Sequence, residues 1–413
     1  RLRMPNTIWI VSELFAPDDA ATSHLMTQIA EGLAAEAEGS QYSISVICAR
    51  PTYPSRGQKV SRREITNGIQ INRCWSTTFS KDRLILRAVN IVTIMMTFSI
   101  KMLFRFRRGD RVLVVTNPPP LPFVAILAAK LRGARTYLLI HDIYPDVLVP
   151  TGFTQSASLP YRVIDFATRH LYQSVAHIIT IGRDMKKLVL QKNPNLKSKV
   201  SVITNWADEQ MCPVPVENKK LKNKAGIDNE LVIQYSGNMG RTHGLNIIAE
   251  AAAILEQKGI GGLRWMMCGW GSGKKKLEQV CTEKNLQSVA IFDPVPREDL
   301  AALISAADIS IISFIPEMSG ISVPSRMYNI FAAGCPIIGI TEPDSELAQT
   351  IFDDDLGWVS PPDKPELLAD LVIQIYKQRS ELADYHQRCR TAARTRYTKN
   401  KAIRAYYALL SEV

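Results

Sequence analysis

Three loops in the sequence carry residue types that grip an anion. The richest is Glu317 to Gly339, EMSGISVPSRMYNIFAAGCPIIG, where a polar Gly/Ser loop runs into a helix that ends in Gly and Pro before a strand. Amides of Ser319, Gly320, Ile321, Ser322 and Val323, together with the helix start near Pro324-Ser325, offer donors, and Arg326 in the first turn offers a fixed cation. That design suits a diphosphate, with Asn329 one turn on placed to reach a ribose hydroxyl. A merely capped helix with a solvated Arg leaves so dense a set of donors unexplained. The second loop, YSGNMGRTHG from Tyr235 to Gly244, follows a strand and opens a helix. Gly237, Gly240 and Gly244 let backbone N–H groups approach phosphate oxygens, flanked by Asn238, Met239 and His243, and Arg241 can add a charge-assisted hydrogen bond. A glycine-rich turn with a surface Arg is the plainer alternative. The third loop, Gly269-Trp270-Gly271-Ser272-Gly273, resembles a dinucleotide fingerprint but lacks the G-x-G-x-x-G spacing and a ribose carboxylate, which argues against a dehydrogenase. Gly269, Gly271 and Val295, beyond the next strand, are assigned to the same donor rim.

A different chemistry is written in the first half. His141-Asp142-Ile143-Tyr144-Pro145-Asp146 follows the apolar run Tyr137 to Ile140, and a His followed by Asp at a strand's carboxyl end is where a reacting hydroxyl can be met. FAPDDAATSH, Phe15 to His24, occupies the loop after the first strand. Asp18, Asp19 and Thr22 are expected to touch an acceptor there, as are Asp146 and Asn205, although Thr22 or Ser23 can equally cap a helix.

These loops need elements to hold them. Apolar runs at 7–12, 43–48, 111–115, 137–140 and 177–181 alternate with helical stretches, and the pattern repeats at 231–235, 264–268, 289–292, 309–313 and 336–340. Such alternation predicts two doubly wound parallel α/β sheets, whose ligands bind beyond the carboxyl ends of the strands. The expected domains are residues 1–204, residues 205–380 and a helical segment 381–413. Residues 205–229, rich in Pro, Lys and Asn, read as a linker. Leu84 to Phe104 is long and apolar enough for a membrane span of about 20 residues. Arg87, Asn90 and Lys101 interrupt it, however, and it lies between two strands of one sheet. It is therefore expected to be a crossover helix with most residues in the core, its basic end from Lys101 to Arg111 meeting anionic headgroups.

At 413 residues the chain carries a net charge of +11, and all of the excess lies in the first half, with 27 Lys and Arg against 13 Asp and Glu through residue 205. One domain is thus expected to face an anionic partner such as a membrane surface or a phosphorylated acceptor. Nucleic acid is excluded for want of any recognition motif. The seven cysteines show no C-x-x-C pair and no metal-ligand spacing to the six histidines, so they read as small hydrophobes in a reducing compartment. With Ile8 to Val11 already strand-like, a secretory leader is not expected, which places the protein in the cytoplasm at the inner face of a membrane. No D-x-D pair in a suitable loop suggests a metal, so no metal and no cofactor are expected.

Taken together, FAPDDAATS, RPTYP, HDIYPDV, ITNWAD, YSGNMGRTHGL, ADISIISF, SVPSRMYNIFAAGCPII and LGWVSPPDKPELLADLV resemble the retaining glycosyltransferases of family 4, of GT-B fold. Within that family they are similar to the subgroup that builds bacterial polysaccharides and O antigens on lipid-linked acceptors. The resemblance implies a nucleotide diphosphate sugar, UDP-linked ahead of GDP-linked, on the C-terminal domain. It also implies a glycan or lipid-linked acceptor on the N-terminal domain, and a last helix, about residues 381–413, that crosses back. The family's E-x7-E pair is altered, since Asn329 takes its second place and Glu317 is offset from its first. Its usual Arg and Lys fall at Asn238 and His243, so the diphosphate charge passes to Arg241 and Arg326. The mechanism implied is retaining transfer through an oxocarbenium-like transition state, with His141 and Asp142 orienting the acceptor or stabilising the sugar. An epimerase of UDP-sugars with the same fold, or a binding subunit that has lost catalysis, are the competing readings.

Overall fold

The computed structural model describes residues 6–18, 20–51, 60–77, 79, 84–208, 211 and 230–412. An eight-stranded sheet comes first, in the order β3-β4-β2-β1-β5-β6-β7-β8. Its strands are β1 (Asn6–Val11), β2 (Tyr42–Ala49), β3 (Arg63–Thr66), β4 (Ile69–Cys74), β5 (Arg111–Val115), β6 (Arg135–Ile140), β7 (His177–Thr180) and β8 (Val200–Val202). All run parallel except β3, which pairs antiparallel to β4. That hairpin was not legible as alternation, yet its turn is Asn67-Gly68 with φ of 51° and 75°, the left-handed pair that a two-residue connection requires. The second sheet is wholly parallel, in the order β11-β10-β9-β12-β13-β14. It comprises β9 (Leu231–Asn238), β10 (Leu263–Trp270), β11 (Val289–Phe292), β12 (Ile309–Ser313), β13 (Ile337–Ile340) and β14 (Gly357–Ser360).

The central strands, such as Ile8 to Val11, Val112 to Val115 and Ile309 to Ile312, are buried along their length. Helices therefore cover both faces, and this is why the strands read as continuous apolar runs. Each strand order reverses once, between β1 and β5 in the first sheet and between β9 and β12 in the second, and each reversal opens a crevice at the carboxyl ends.

The helices are α1 (Ala21–Glu36), α2 (Leu84–Arg105), α3 (Leu121–Arg132), α4 (Leu159–Ser174), α5 (Arg183–Lys192), α6 (Asn246–Gln257), α7 (Lys274–Glu283), α8 (Leu300–Ala306), α9 (Arg326–Ala332), α10 (Glu346–Asp354), α11 (Pro365–Lys377), α12 (Leu382–Thr395) and α13 (Lys399–Ser411). α12 packs on α9 of the second domain, while α13 lies against α1 of the first. A Cβ on Gly32 of α1 would fall 2.6 Å from Ile403, so the two helices touch backbone to side chain.

The expectation that α2 is mostly core is corrected. Within its apolar stretch Ile94, Met95, Phe98 and Met102 are buried, while Ile85, Val92, Met96, Ile100 and Phe104 are exposed. One face of the helix turns onto the sheet, and among the described residues nothing covers the other. By length and composition α2 could cross a membrane. It is built in here as the crossover between β4 and β5, packed on α3.

Candidate active site

The side of the cleft where a donor was expected forms where β9 and β12 part. Arg326, first residue of α9, lays its guanidinium over the Tyr235 ring at 4.5 Å and donates from Nη1 to the Ser236 carbonyl at 3.2 Å. Its Nη2 is buried and has no hydrogen-bond partner among the described residues. A desolvated guanidinium N–H left without an acceptor is costly, and an anionic ligand oxygen is the natural remedy. The backbone is shaped around this cation: Gly237 has φ of 137°, and a Cβ there would sit 2.6 Å from Arg326 Nη1. His243 stacks on Phe314 with ring centroids 5.9 Å apart. Burial, aided by the charge of Arg326, pushes its pKa down to about 3, so the imidazole is neutral. Arg241 is exposed and places its guanidinium 5.1 Å from the Phe153 ring of the first domain, across the cleft.

Several expected donors are already committed. Gly320 N–H donates to Asp184 Oδ2 at 2.9 Å and Ile321 N–H to the Met318 carbonyl at 3.1 Å, so these amides hold the loop rather than stand open to a phosphate. Met239 N–H donates to the Trp270 carbonyl at 2.6 Å, and the Met239 carbonyl accepts from Gly273 at 2.7 Å. Gly269 and Gly271 serve this packing, since a Cβ at Gly269 would lie 1.9 Å from the Gly237 carbonyl oxygen. The Val295 amide is tied to the Cys268 thiol at the foot of the same rim. Asn238 is exposed at the end of β9, and its carbonyl accepts from the Tyr235 hydroxyl at 2.5 Å. Asn329 does not stand ready for a ribose with its oxygen, because Oδ1 accepts the Asp208 amide at 2.9 Å.

The loop where an acceptor was expected is brought against the same segment. Asp142 forms an antiparallel bridge with Ser322, and Ile143 N–H donates to the Ile321 carbonyl at 3.0 Å. Ser319 hydrogen-bonds Asp344, while Val323 is buried nearby. His141 is held by its own amide, which donates to Thr116 Oγ1 at 3.1 Å. Desolvation pushes the pKa of His141 down to about 4, and its buried Nε2 has no partner among the described residues. The same burial raises the Asp142 carboxyl, opposed by the Ser322 hydroxyl. A neutral imidazole next in sequence to a desolvated carboxyl can orient a hydroxyl without adding a second cation to the site.

The remaining acceptor candidates divide. Asp18 is buried, and Thr22 lies half-buried in the first turn of α1, whose N-cap is Ala20. Neither Thr22 nor Ser23 caps that helix. Asp19 lies outside the described residues, as do residues 52–59 and most of the linker. Asp146 is taken up by Lys192 and by the Tyr161 hydroxyl, so it braces α4 and α5 rather than facing an acceptor. Asn205 is buried with Oδ1 lacking a partner among the described residues.

Sequence reasoning missed two residues that join the domains. Asp184, near the start of α5, accepts from Gly320 N–H and, at 2.8 Å, from Glu346 N–H, both in the second domain. Arg183 donates from Nε to Glu346 at 3.0 Å and from Nη1 to Asp353 at 2.7 Å. The signal available was Gly182-Arg183-Asp184 at the carboxyl end of β7, the edge where ligands and partners gather. His24 was also missed; with Arg297 it flanks Asp208, at 2.9 and 2.8 Å. Among the described residues no group of three or more His, Cys, Asp or Glu side chains converges as a metal site.

Comparison with known proteins identifies the family. Residues 217–396 match the family described as glycosyl transferases group 1, and residues 26–206 match the glycosyl transferase 4-like domain. The chain is 30% identical to a probable glycosyltransferase, WbjE, of Pseudomonas aeruginosa, over 72% of its length and 73% of the relative's. It is 29% identical to the putative colanic acid biosynthesis glycosyl transferase WcaI of Escherichia coli K12, over 54% of this chain and 55% of that one. Among solved structures, Anabaena Alr3699/HepE in complex with UDP and glucose superposes with a TM-score of 0.73 at 14% identity, covering 99% of this chain and all of that one.

Proposed function

The chain belongs to the glycosyl transferase family whose halves are the 4-like and group 1 domains, and from that premise we propose that it moves a sugar from a nucleotide diphosphate carrier to a glycan or lipid-linked acceptor in polysaccharide biosynthesis. The observation that carries this reading is the buried Nη2 of Arg326, unpaired among the described residues, at the β9/β12 crevice, with His141 and Asp142 held to the far side of the same loop through Ser322. Arg326 would neutralise charge on the departing diphosphate, and neutral His141 would position the acceptor hydroxyl or the sugar; the protein's contribution is electrostatic and positional. UDP is favoured as carrier because the superposing HepE structure holds UDP. Retention of anomeric configuration and independence from metal belong to the same reading. So does a place at the cytoplasmic face of an anionic membrane, which the basic first half and the exposed face of α2 support.

The test is a panel of UDP- and GDP-sugars given to the purified chain, with donor turnover and product configuration followed by NMR. Turnover of one donor, unaltered by EDTA, is expected. Release of an epimerised nucleotide sugar, or a strict requirement for Mg²⁺ or Mn²⁺, sinks the metal-free transferase reading.

A further inference from the structure

The first domain contains a cavity of about 850 Å³ enclosed by α2, α3 and α4. Its walls are mainly apolar, with Ile91 and Ile94 from α2, Pro122 and Phe123 from α3, and Ile164 and Leu171 from α4, although Ser76, Thr77, Asn90 and Thr168 also line it. Its inner end is polar, formed by Glu13 beyond β1 and by Thr116 and Asn117 beyond β5. Thr116 is the residue whose hydroxyl accepts the His141 amide, so the cavity ends against the backbone that carries the catalytic imidazole. Its other rim is open, because Phe123 and Ile164 are each 39% exposed. From that rim apolar side chains continue outward in helical steps, through Leu127 and Leu131 on α3, Met96 and Ile100 on α2, and Val163 and Phe166 on α4, all exposed. The far ends of α2 and α3 meet, with Gly109 N–H donating to the Gly133 carbonyl at 3.2 Å, and exposed Arg107, Arg108, Lys130 and Arg132 gather there.

A nucleotide or sugar has no use for such walls. A volume of this size, mainly apolar along its sides and polar at one end, matches an elongated amphiphile, and the surrounding basic and apolar face matches an anionic bilayer as its source. We propose that the cavity enclosed by α2, α3 and α4 holds the apolar chain of a lipid-linked acceptor drawn from an anionic membrane, its polar head emerging at Thr116 and Asn117 beside His141. This rests on the proposed transfer to a lipid-linked acceptor and specifies how that acceptor is held. Arg50 stands at the same carboxyl edge, one residue beyond the Ala49 amide that donates to the Glu13 carbonyl. Its Nε lacks a partner among the described residues, which suits a phosphate-bearing head.

The experiment uses the full chain and farnesyl phosphate carrying a diazirine at the end of its chain, presented in phosphatidylglycerol vesicles and, separately, in detergent micelles. Irradiation is expected to label peptides containing Ile91 to Ile94, Pro122 to Phe123 or Ile164 to Leu171. Unlabelled farnesyl phosphate should compete and inorganic phosphate should not. Ala88→Trp, at the cavity's exposed rim, should weaken labelling at least tenfold while vesicle sedimentation, melting temperature and donor hydrolysis stay as in the parent. Labelling confined to the outer face, labelling that farnesyl phosphate does not displace, or equal labelling of Ala88→Trp overturns the proposal even when vesicles bind. Cavity labelling in micelles without vesicle sedimentation keeps the chain site and removes the membrane from the functional reading. Cavity labelling with no sugar transfer to the probe likewise separates chain binding from the transferase assignment.

Discussion

At the scale of single residues, the cleft is decided by which polar groups are already satisfied. Arg326 retains a donor without a partner among the described residues, so Arg326→Ala is expected to weaken UDP binding by roughly 1.5 to 3 kcal/mol, about ten- to a hundredfold in Kd, measured by calorimetry. An unchanged Kd would return this arginine to a purely structural role under Tyr235. The position of Arg326, first in a helix after a Gly/Ser loop, was legible in the sequence. Asn329 and Asp146 were misjudged because their partners, the Asp208 amide and Lys192, come from remote parts of the chain that no local pattern couples to them. The two depressed histidines make a second prediction. Folded His141 and His243 take up protons near pH 4 and pH 3, against an ordinary value of 6.5. Between those limits the unfolded chain binds the extra protons, so stability is complete above about pH 6.5 and falls as pH drops toward 4. Thermal midpoints should decline from pH 7 to pH 5 more steeply in the parent than in His141→Gln, whose side chain does not titrate. Parallel curves would mean that His141 is not desolvated.

At the scale of elements, the parallel strands were legible because a strand buried on both faces must be apolar throughout. The β3–β4 hairpin was not, since at an edge one side of the strand is free to be polar: Arg63, Ile65 and Thr66 are exposed. α2 shows the opposite limit. Its run of apolar residues is the same whether protein or lipid covers it, so composition could not tell which face meets the sheet. That face is set by Ile94, Phe98 and Met102, at four-residue spacing. The other face carries a prediction of its own: Met96→Glu with Ile100→Glu, both at exposed positions, should leave the fold intact and reduce sedimentation with phosphatidylglycerol vesicles several-fold. Raising salt should weaken binding of the parent through its arginines, each contributing about 1 kcal/mol near an anionic surface. Sedimentation of the double variant equal to the parent's would exclude α2 from the contact.

At the scale of the whole molecule, two of the places where the halves are fastened to each other differ in character. One is the latch of Arg183 and Asp184 on Gly320 and Glu346. Asp184→Ala would strand three buried amides, two of them in the second domain, each loss costing about 1 to 3 kcal/mol, and is expected both to lower the melting temperature and to enlarge the radius of gyration seen by small-angle scattering. A destabilised variant of unchanged radius would show that the latch supports the loop without holding the halves together. The other fastening is where the chain passes between domains. Residues leading out of β8 run beside the return toward α13, with the Ala207 amide donating to the Tyr397 carbonyl at 3.4 Å. Two passages lying side by side act as a single pin. On that arrangement, an opening of the latch is expected to be a rotation about residues 207 and 397 rather than a sliding of one half past the other. A single protease cut in either passage should leave the halves travelling as one particle, held by the passage that remains.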